Sequence, residues 1–206
     1  DQIEFEEGAA IALVGVTAWR ALVDHANLIS GDKCLIHGGS GGVGHVAIQI
    51  AEGIGAEVTT TARSEYHEKL KQLGAKHVFD YNEDNLTELI GNGGKMDVIL
   101  DHRCDEYMEL DIQVAGKNAR IVGIGQEGTQ VVIPNFAIAR SKELELYMMS
   151  MFNTPKISTI LDQISKMMVE GLLEVSLAKK YPLEAAGEAQ ERIYSQSNMG
   201  KIVIIP

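Results

Sequence analysis

Cysteine is nearly missing from this chain. Cys34 and Cys104 are its only two, they stand far apart, and no C-x-x-C occurs. That excludes a disulfide framework and a zinc cluster within the chain, and it fits a reducing compartment. Long apolar runs are missing too. None approaches the 18 residues that a membrane-spanning helix requires. The opening stretch "DQIEFEEGAA" is acidic and lacks the basic-then-apolar layout of a secretion signal. It also lacks a starting Met, which points to a piece of a longer protein. Basic residues are outnumbered: 18 Lys and Arg against 29 Asp and Glu give a formal net charge of −11. Such a surface repels nucleic acid and anionic membranes. An anionic ligand needs a local basic pocket against that field. No internal repeat or low-complexity tract is present. Cytoplasmic location is the expectation.

What remains is 206 residues of ordinary globular composition, 45% hydrophobic and 23% charged. Helical and strand-like patterns alternate. A helix is predicted from about Glu6 to Ala26. "KCLIH" reads as a strand, Gly42 to Gly53 as a helix, and "AEVTTTA" as a strand. A helix capped by Ser64 runs to Leu73 and ends at Gly74. "KHVFDY" (strand), "NEDNLTELIGNG" (short helix), "MDVILD" (strand), residues 104–115 (helix), "ARIVGIG" (strand) and "ELELYMMSMF" (sixth strand) follow. Strict alternation implies an α/β fold, a doubly wound parallel sheet of about six strands with helices on both faces. After Phe152 comes a long helix with Thr154 as N-cap and Pro155 at its first position. Strand, helix and strand complete a small α/β tail. The expected division is 1–152 and 153–206. The Met-bearing stripe of that long helix reads as core.

The chemistry concentrates in "HGGSGGVG". Five glycines fall within the seven residues Gly38 to Gly44. Gly39, Gly41 and Gly44 fit G-x-G-x-x-G, a spacing that serves a tight turn, close approach of backbone to a pyrophosphate, and close helix–strand packing. The following helix presents free N–H groups and its positive dipole end to phosphates. The motif alone is weak, but a strand precedes it, a helix follows it, and a second strand ends about 20 residues on, as dinucleotide binding requires. No Lys-Ser/Thr follows the glycines, which excludes a P-loop. A methyltransferase usually carries an acid at the end of the second strand. Here that strand ends Thr60-Thr61-Ala62-Arg63-Ser64. An acid there would hold the ribose hydroxyls of NAD; Arg63 and Ser64 suit a 2′-phosphate. Arg63 also reads as a solvated surface charge, and Ser64 as a helix cap. Tyr66, Lys69 and Tyr81 are near enough in the pattern to complete the pocket.

"GVTAW" (15–19), "ISGDKCLIHGGSGGVGHVAIQIAEGIGAEV" (29–58), "LGAKHVFDY" (73–81), "MDVILD" (96–101), "ARIVGIG" (119–125), "KELEL" (142–146), "YPLEAAGEAQ" (181–190) and "NMGKIVI" (198–204) together resemble the medium-chain dehydrogenase/reductase superfamily. The resemblance is to its zinc-independent quinone oxidoreductase and enoyl reductase branch. It implies a Rossmann cofactor domain followed by the C-terminal tail of a GroES-like catalytic domain whose front is absent. It implies NADPH as cofactor, no zinc, a small quinone or enone as substrate, and a homodimer through the edge strand at 142–152. By the same resemblance Thr17 sits near the nicotinamide, and Gly39, Gly41, Gly42, Val43 and Gly44 form the pyrophosphate loop. Arg63, Ser64 and Tyr66 hold the 2′-phosphate, Tyr81 lies near the adenine, Ile124 and Gly125 flank ribose and nicotinamide, and Asn198 reaches back to the cofactor. From the residues alone, Thr17 also reads as a hydroxyl bonded to its own helix, and Asn198 as a turn residue.

Three stretches depart from the branch. His102-Arg103-Cys104-Asp105 stands where small residues and paired glycines are usual, "GKN" (116–118) where "PGG" is common, and two Met in "LYMMSMF" where glycine is common. The first adds bulk and charge beside the expected nicotinamide path. His102 reads as a loop residue or an acid/base group. Cys104 has no base at a diagnostic spacing. No catalytic side chain is assigned. Four readings follow: an NADPH-dependent quinone or enone reductase, an enoyl reductase module of a larger synthase, a zinc-type alcohol dehydrogenase lacking its front, and a dinucleotide-binding module without turnover.

Overall fold

A computed structural model describes residues 3–206, so Asp1 and Gln2 of the expected first unit lie outside it. Six strands form one parallel sheet: β1 (Lys33–Ile36), β2 (Glu57–Thr61), β3 (His77–Phe79), β4 (Met96–Asp101), β5 (Ala115–Gly123) and β6 (Glu145–Met148). Their spatial order is β3-β2-β1-β4-β5-β6, every pair parallel. The doubly wound sheet expected from the alternation is therefore present. The order reverses direction between β1 and β4, the place where open α/β sheets leave a ligand crevice. β1 and β4 bury almost all their side chains, as strands covered on both faces must.

The crossovers are α2 (Gly44–Ile54), α3 (His67–Gln72), α4 (Leu86–Asn92), α5 (Cys104–Val114) and α6 (Phe136–Ser141). α1 (Phe5–Trp19) precedes β1, and α7 (Ile157–Val169) follows β6. Val46, Ala47 and Ile50 of α2 meet Ile11, Val14 and Ala18 of α1 in one core with Ile160 and Ile164 of α7. Gly15 allows this close crossing, since a Cβ there would lie 2.8 Å from Ile164 Cδ1. Gly55 ends α2 in the left-handed region at φ 94°, where its N–H bonds back to the last turn. The tail forms a separate parallel pair, β7 (Leu177–Pro182) and β8 (Lys201–Ile205), bridged by α8 (Ala186–Ser195).

Four local expectations are corrected. The first helix does not run on as α to Ala26. From Arg20 to His25 it widens into a π-helix, which carries Arg20 inward to donate to the Ser150 carbonyl at 2.6 Å. Ser64 does not cap α3. A 3-10 turn over Ser64–Tyr66 opens that helix, and Arg63 stands at its N-cap position without a side-chain cap. Thr154 and Pro155 do not start α7, whose N-cap is Lys156. Pro155 lies in the turn before it. The short helix α6 is an addition to the expected elements.

Candidate cofactor cleft

The crevice is built on the glycine loop. Gly38 N–H donates to Thr61 Oγ1 at 3.1 Å and Gly39 N–H to the Thr61 carbonyl at 2.8 Å, so the loop is tied to the end of β2. A Cβ on Gly44 would collide with the Gly38 carbonyl oxygen, and one on Gly39 would collide with Thr60 Oγ1. These two glycines serve packing. Gly41 and Gly42 face the cleft. Among the described residues, the N–H groups of Gly42 and Val43 make no backbone hydrogen bond, whereas His45 N–H is taken by the Gly41 carbonyl at 3.2 Å. The loop and helix end thus offer a cradle of free donors that fits a pyrophosphate.

The cleft over this cradle holds about 500 Å³. Gly41, Gly42, Val43, Gly44, Tyr81, Ile124 and Asn198, all expected site residues, line it. His37, His102, Ser197 and Lys201 line it as well. Sequence reasoning missed a site role for His37, Ser197 and Lys201. Lys201 directly follows the "NMG" motif, and its stem lies against Gly42, 2.7 Å from where a Cβ would stand. It brings a cation to the loop despite the acidic surface. Arg63 does not itself line the cleft; it is tied to it through Tyr81, whose hydroxyl accepts from Arg63 Nε at 2.7 Å. The Tyr81 hydroxyl accepting from Arg63 raises the guanidinium pKa above its ordinary value.

Other expected residues are engaged differently. Ser64 N–H donates to Asp80 Oδ2 at 3.0 Å, so an acid already occupies that donor. Tyr66 OH donates to the Ser197 carbonyl at 3.1 Å and thereby holds the tail. Asn198 Oδ1 accepts from Arg192 Nε at 2.9 Å, and its Nδ2 donates to the Gln196 carbonyl at 3.0 Å. Asn198 is thus bonded within its own segment and also lines the cleft wall. Thr17 Oγ1 donates to the Leu13 carbonyl at 2.8 Å, one helical turn back.

A second, apolar cavity of about 520 Å³ adjoins the first, and Val43 and Ile124 line both. Thr17 and Gly125 belong to its wall with Met149, Ser150 and Phe152. Arg20, pinned to Ser150, steadies this side. The two Met that depart from the branch, Met148 and Met149, both line this cavity and make it soft and apolar. The tail closes the loop from the opposite side. His45 is buried, with Nδ1 2.8 Å from the Gly41 carbonyl. Its Nε2 accepts from Ser176 N–H at 3.1 Å. Burial keeps the His45 pKa below the ordinary histidine value, so the ring is neutral with its proton on Nδ1.

A six-stranded parallel sheet with a glycine loop at its switch point defines a Rossmann-like α/β domain. Residues 42–166 match the family model described as zinc-binding dehydrogenase, so the chain belongs to that family, within the medium-chain dehydrogenase/reductase superfamily. It is 30% identical over 213 residues to a quinone oxidoreductase of Homo sapiens, a match covering 100% of this chain and 64% of the relative. It is 29% identical over 211 residues to a mycocerosic acid synthase-like polyketide synthase of Mycolicibacterium smegmatis, covering 98% of this chain and 10% of that one. The structure of Escherichia coli quinone oxidoreductase complexed with NADPH superposes with a TM-score of 0.90 at 26% identity, over 99% of this chain and 66% of that one. The chain thus spans 64% of the length of the quinone oxidoreductase it matches. No group of three or more His, Cys, Asp and Glu among the described residues is placed to hold a metal ion.

Proposed function

We propose that this chain is the cofactor-binding part of an NADPH-dependent oxidoreductase that delivers hydride to a quinone or an α,β-unsaturated carbonyl. The observation that carries the reading is the continuity of two cavities. A cleft with a free N–H cradle and the Arg63–Tyr81 corner runs through Val43 and Ile124 into an apolar pocket. In this reading Gly41, Gly42 and Val43 hold the pyrophosphate. Gly39 and Gly44 shape the turn, and Lys201 neutralises it from the tail side. Arg63 would hold the 2′-phosphate, with Ser64 and Tyr66 beside it, and Tyr81 would lie near the adenine. Thr17, Ile124, Gly125 and Asn198 border the ribose and nicotinamide. Bound there, the nicotinamide supplies hydride to an electron-poor acceptor. Met149, buried in the pocket wall, gives the reacting face an apolar side. Residues 153–206 are proposed to belong with a catalytic domain outside this chain.

The likeness to a stretch of a polyketide synthase supports a second reading, an enoyl reductase module of a larger synthase. One assay separates the two. The longer protein is incubated with NADPH and either an ortho-quinone or a 2-enoyl thioester, and nicotinamide absorbance is followed. Turnover with the quinone supports the first reading, and turnover with the thioester alone supports the second. Turnover with neither contradicts both.

A further inference from the structure

Under the glycine loop lies a cluster the proposed reaction does not use. His37 follows β1, Asp101 ends β4, and Asp111 sits on α5. His37 Nε2 and Asp111 Oδ1 are 2.8 Å apart, and both side chains are fully buried. Asp101 and Asp111 are both buried, and each carboxyl perturbs the other's ionisation. Asp101 Oδ1 accepts the Arg103 N–H at 2.7 Å. Oδ2 of Asp101, Oδ2 of Asp111 and Nδ1 of His37 are buried and have no partner among the described residues. The His37 ring stacks on Tyr107 with centroids 4.4 Å apart. The other groups facing the cluster do not neutralise it. Cys104 points its thiol at the Asp101 carbonyl. Glu106 faces His37 with the wrong sign for the carboxyls. The Arg103 guanidinium is taken by Glu106 and Glu127 at 2.7 and 3.0 Å. His102 stands above, its ring against Gly38.

Two buried carboxylates that perturb each other cannot both ionise cheaply. One proton shared by the pair relieves this repulsion. Burial accordingly raises Asp101 to about 7 and Asp111 to about 8, and lowers His37. His37 also lines the cleft and adjoins Gly38, so the cluster lies directly beneath the cradle. We propose that Asp101, Asp111 and His37 form a proton-holding site coupled to the dinucleotide: with the proton present an anionic cofactor seats on the loop, and with it lost the added negative charge beneath the loop weakens binding. The inference rests on the dinucleotide reading above. Linkage makes the coupling reciprocal, so cofactor binding on the alkaline side of neutrality draws a proton into the protein. These three are positioning residues, since they act through the charge under the loop.

The test is calorimetric titration of the chain with NADPH at about pH 8 in two buffers of different ionisation enthalpy, with affinity followed from about pH 7 to 9.5. The 2′-phosphate loses its last proton near pH 6 and stays silent in this window. The expected result is uptake of a fraction of a proton per cofactor. Affinity should fall with rising pH by up to about tenfold per unit. The Asp101→Asn/Asp111→Asn double variant, checked by circular dichroism, should show no uptake and a flat profile at the neutral-pH affinity. If that variant does not fold, uptake by the unaltered chain decides the matter. NADPH binding without uptake and with constant affinity overturns the inference and leaves the cofactor reading standing. Uptake that persists in the folded double variant also overturns it. Absence of NADPH binding at every pH overturns the cofactor reading, and the inference with it.

Discussion

Arg63 is tied to the cleft through Tyr81, where the guanidinium Nε donates to the phenol oxygen at 2.7 Å. The bond joins the end of β2 to the residue two positions beyond β3, and among the described residues the other guanidinium nitrogens make no hydrogen bond or ion pair. Arg63→Ala removes a charge-assisted contact to a 2′-phosphate, an interaction worth about 1.5–3 kcal/mol. The preference for NADPH over NADH should therefore drop by about ten- to a hundredfold, read by nicotinamide fluorescence titration. Tyr81→Phe keeps the cation and loses only its hydroxyl partner, so its effect should be smaller than that of Arg63→Ala.

The packing glycines give a paired stability prediction. Gly44→Ala drives a Cβ into the Gly38 carbonyl oxygen, a backbone atom that cannot swing aside. Overpacking of this kind costs about 1–3 kcal/mol or more. In a domain of this size each kcal/mol lowers the melting temperature by about 2–4 °C. Gly53, in the same helix, has nothing within 4 Å of where a Cβ would stand. Gly53→Ala should stabilise by about 0.5–1 kcal/mol. Thermal melts of the two variants should move in opposite directions.

His45 sets a pH dependence. Its folded-state pKa lies below the ordinary value, near 6.5 for an unfolded chain. As pH falls below that value the unfolded chain binds the proton first, and stability declines until the folded-state pKa is reached. Protonation also removes the Nε2 lone pair that accepts from Ser176. The Asp101–Asp111 pair has the opposite sign. Its folded pKa values are raised to about 7 and about 8, so its contribution is complete only below the unfolded carboxyl value of about 4, declines as pH rises from there, and is gone once pH has passed the folded values. Urea unfolding between pH 5 and 6.5 should show a shallower acid loss in His45→Gln than in the unaltered chain, by at most about 1.4 kcal/mol per pH unit.

β6 is an edge strand, bonded only to β5 among the described strands. Met148 on it, and Val132 and Phe136 nearby in sequence, are exposed. An edge of this kind invites pairing with a second copy, which the homodimer expectation for 142–152 requires. Sedimentation at micromolar concentration should show a dimer, and Met148→Lys should shift it toward monomer. A monomer in the unaltered chain contradicts the pairing.

The sheet was legible because its signals are local and repeated. Short β-branched or apolar runs alternate with helices closed by glycines such as Gly74, and the loop from Gly38 to Gly44 states its own geometry. What escaped depends on contacts distant in sequence. The widening at Arg20 answers a carbonyl 130 residues away. Ser64 does not cap α3 because a 3-10 turn over Ser64–Tyr66 intervenes, its first N–H accepted by Asp80 just beyond β3, 16 positions on. His37 and Asp111 are 74 positions apart, so no spacing rule joins them. Lys201 enters the site only because the tail folds back, with Gly200 N–H on the Ser40 carbonyl at 2.7 Å.

The most direct test is titration of the purified chain with NADPH and, separately, with NADH, following nicotinamide fluorescence. The account predicts saturable NADPH binding with NADH weaker by at least about tenfold, the contrast expected when one charge-assisted contact is lost. Binding of neither, or equal binding of both, would contradict the assignment of the glycine loop and the Arg63 corner to a phosphorylated dinucleotide.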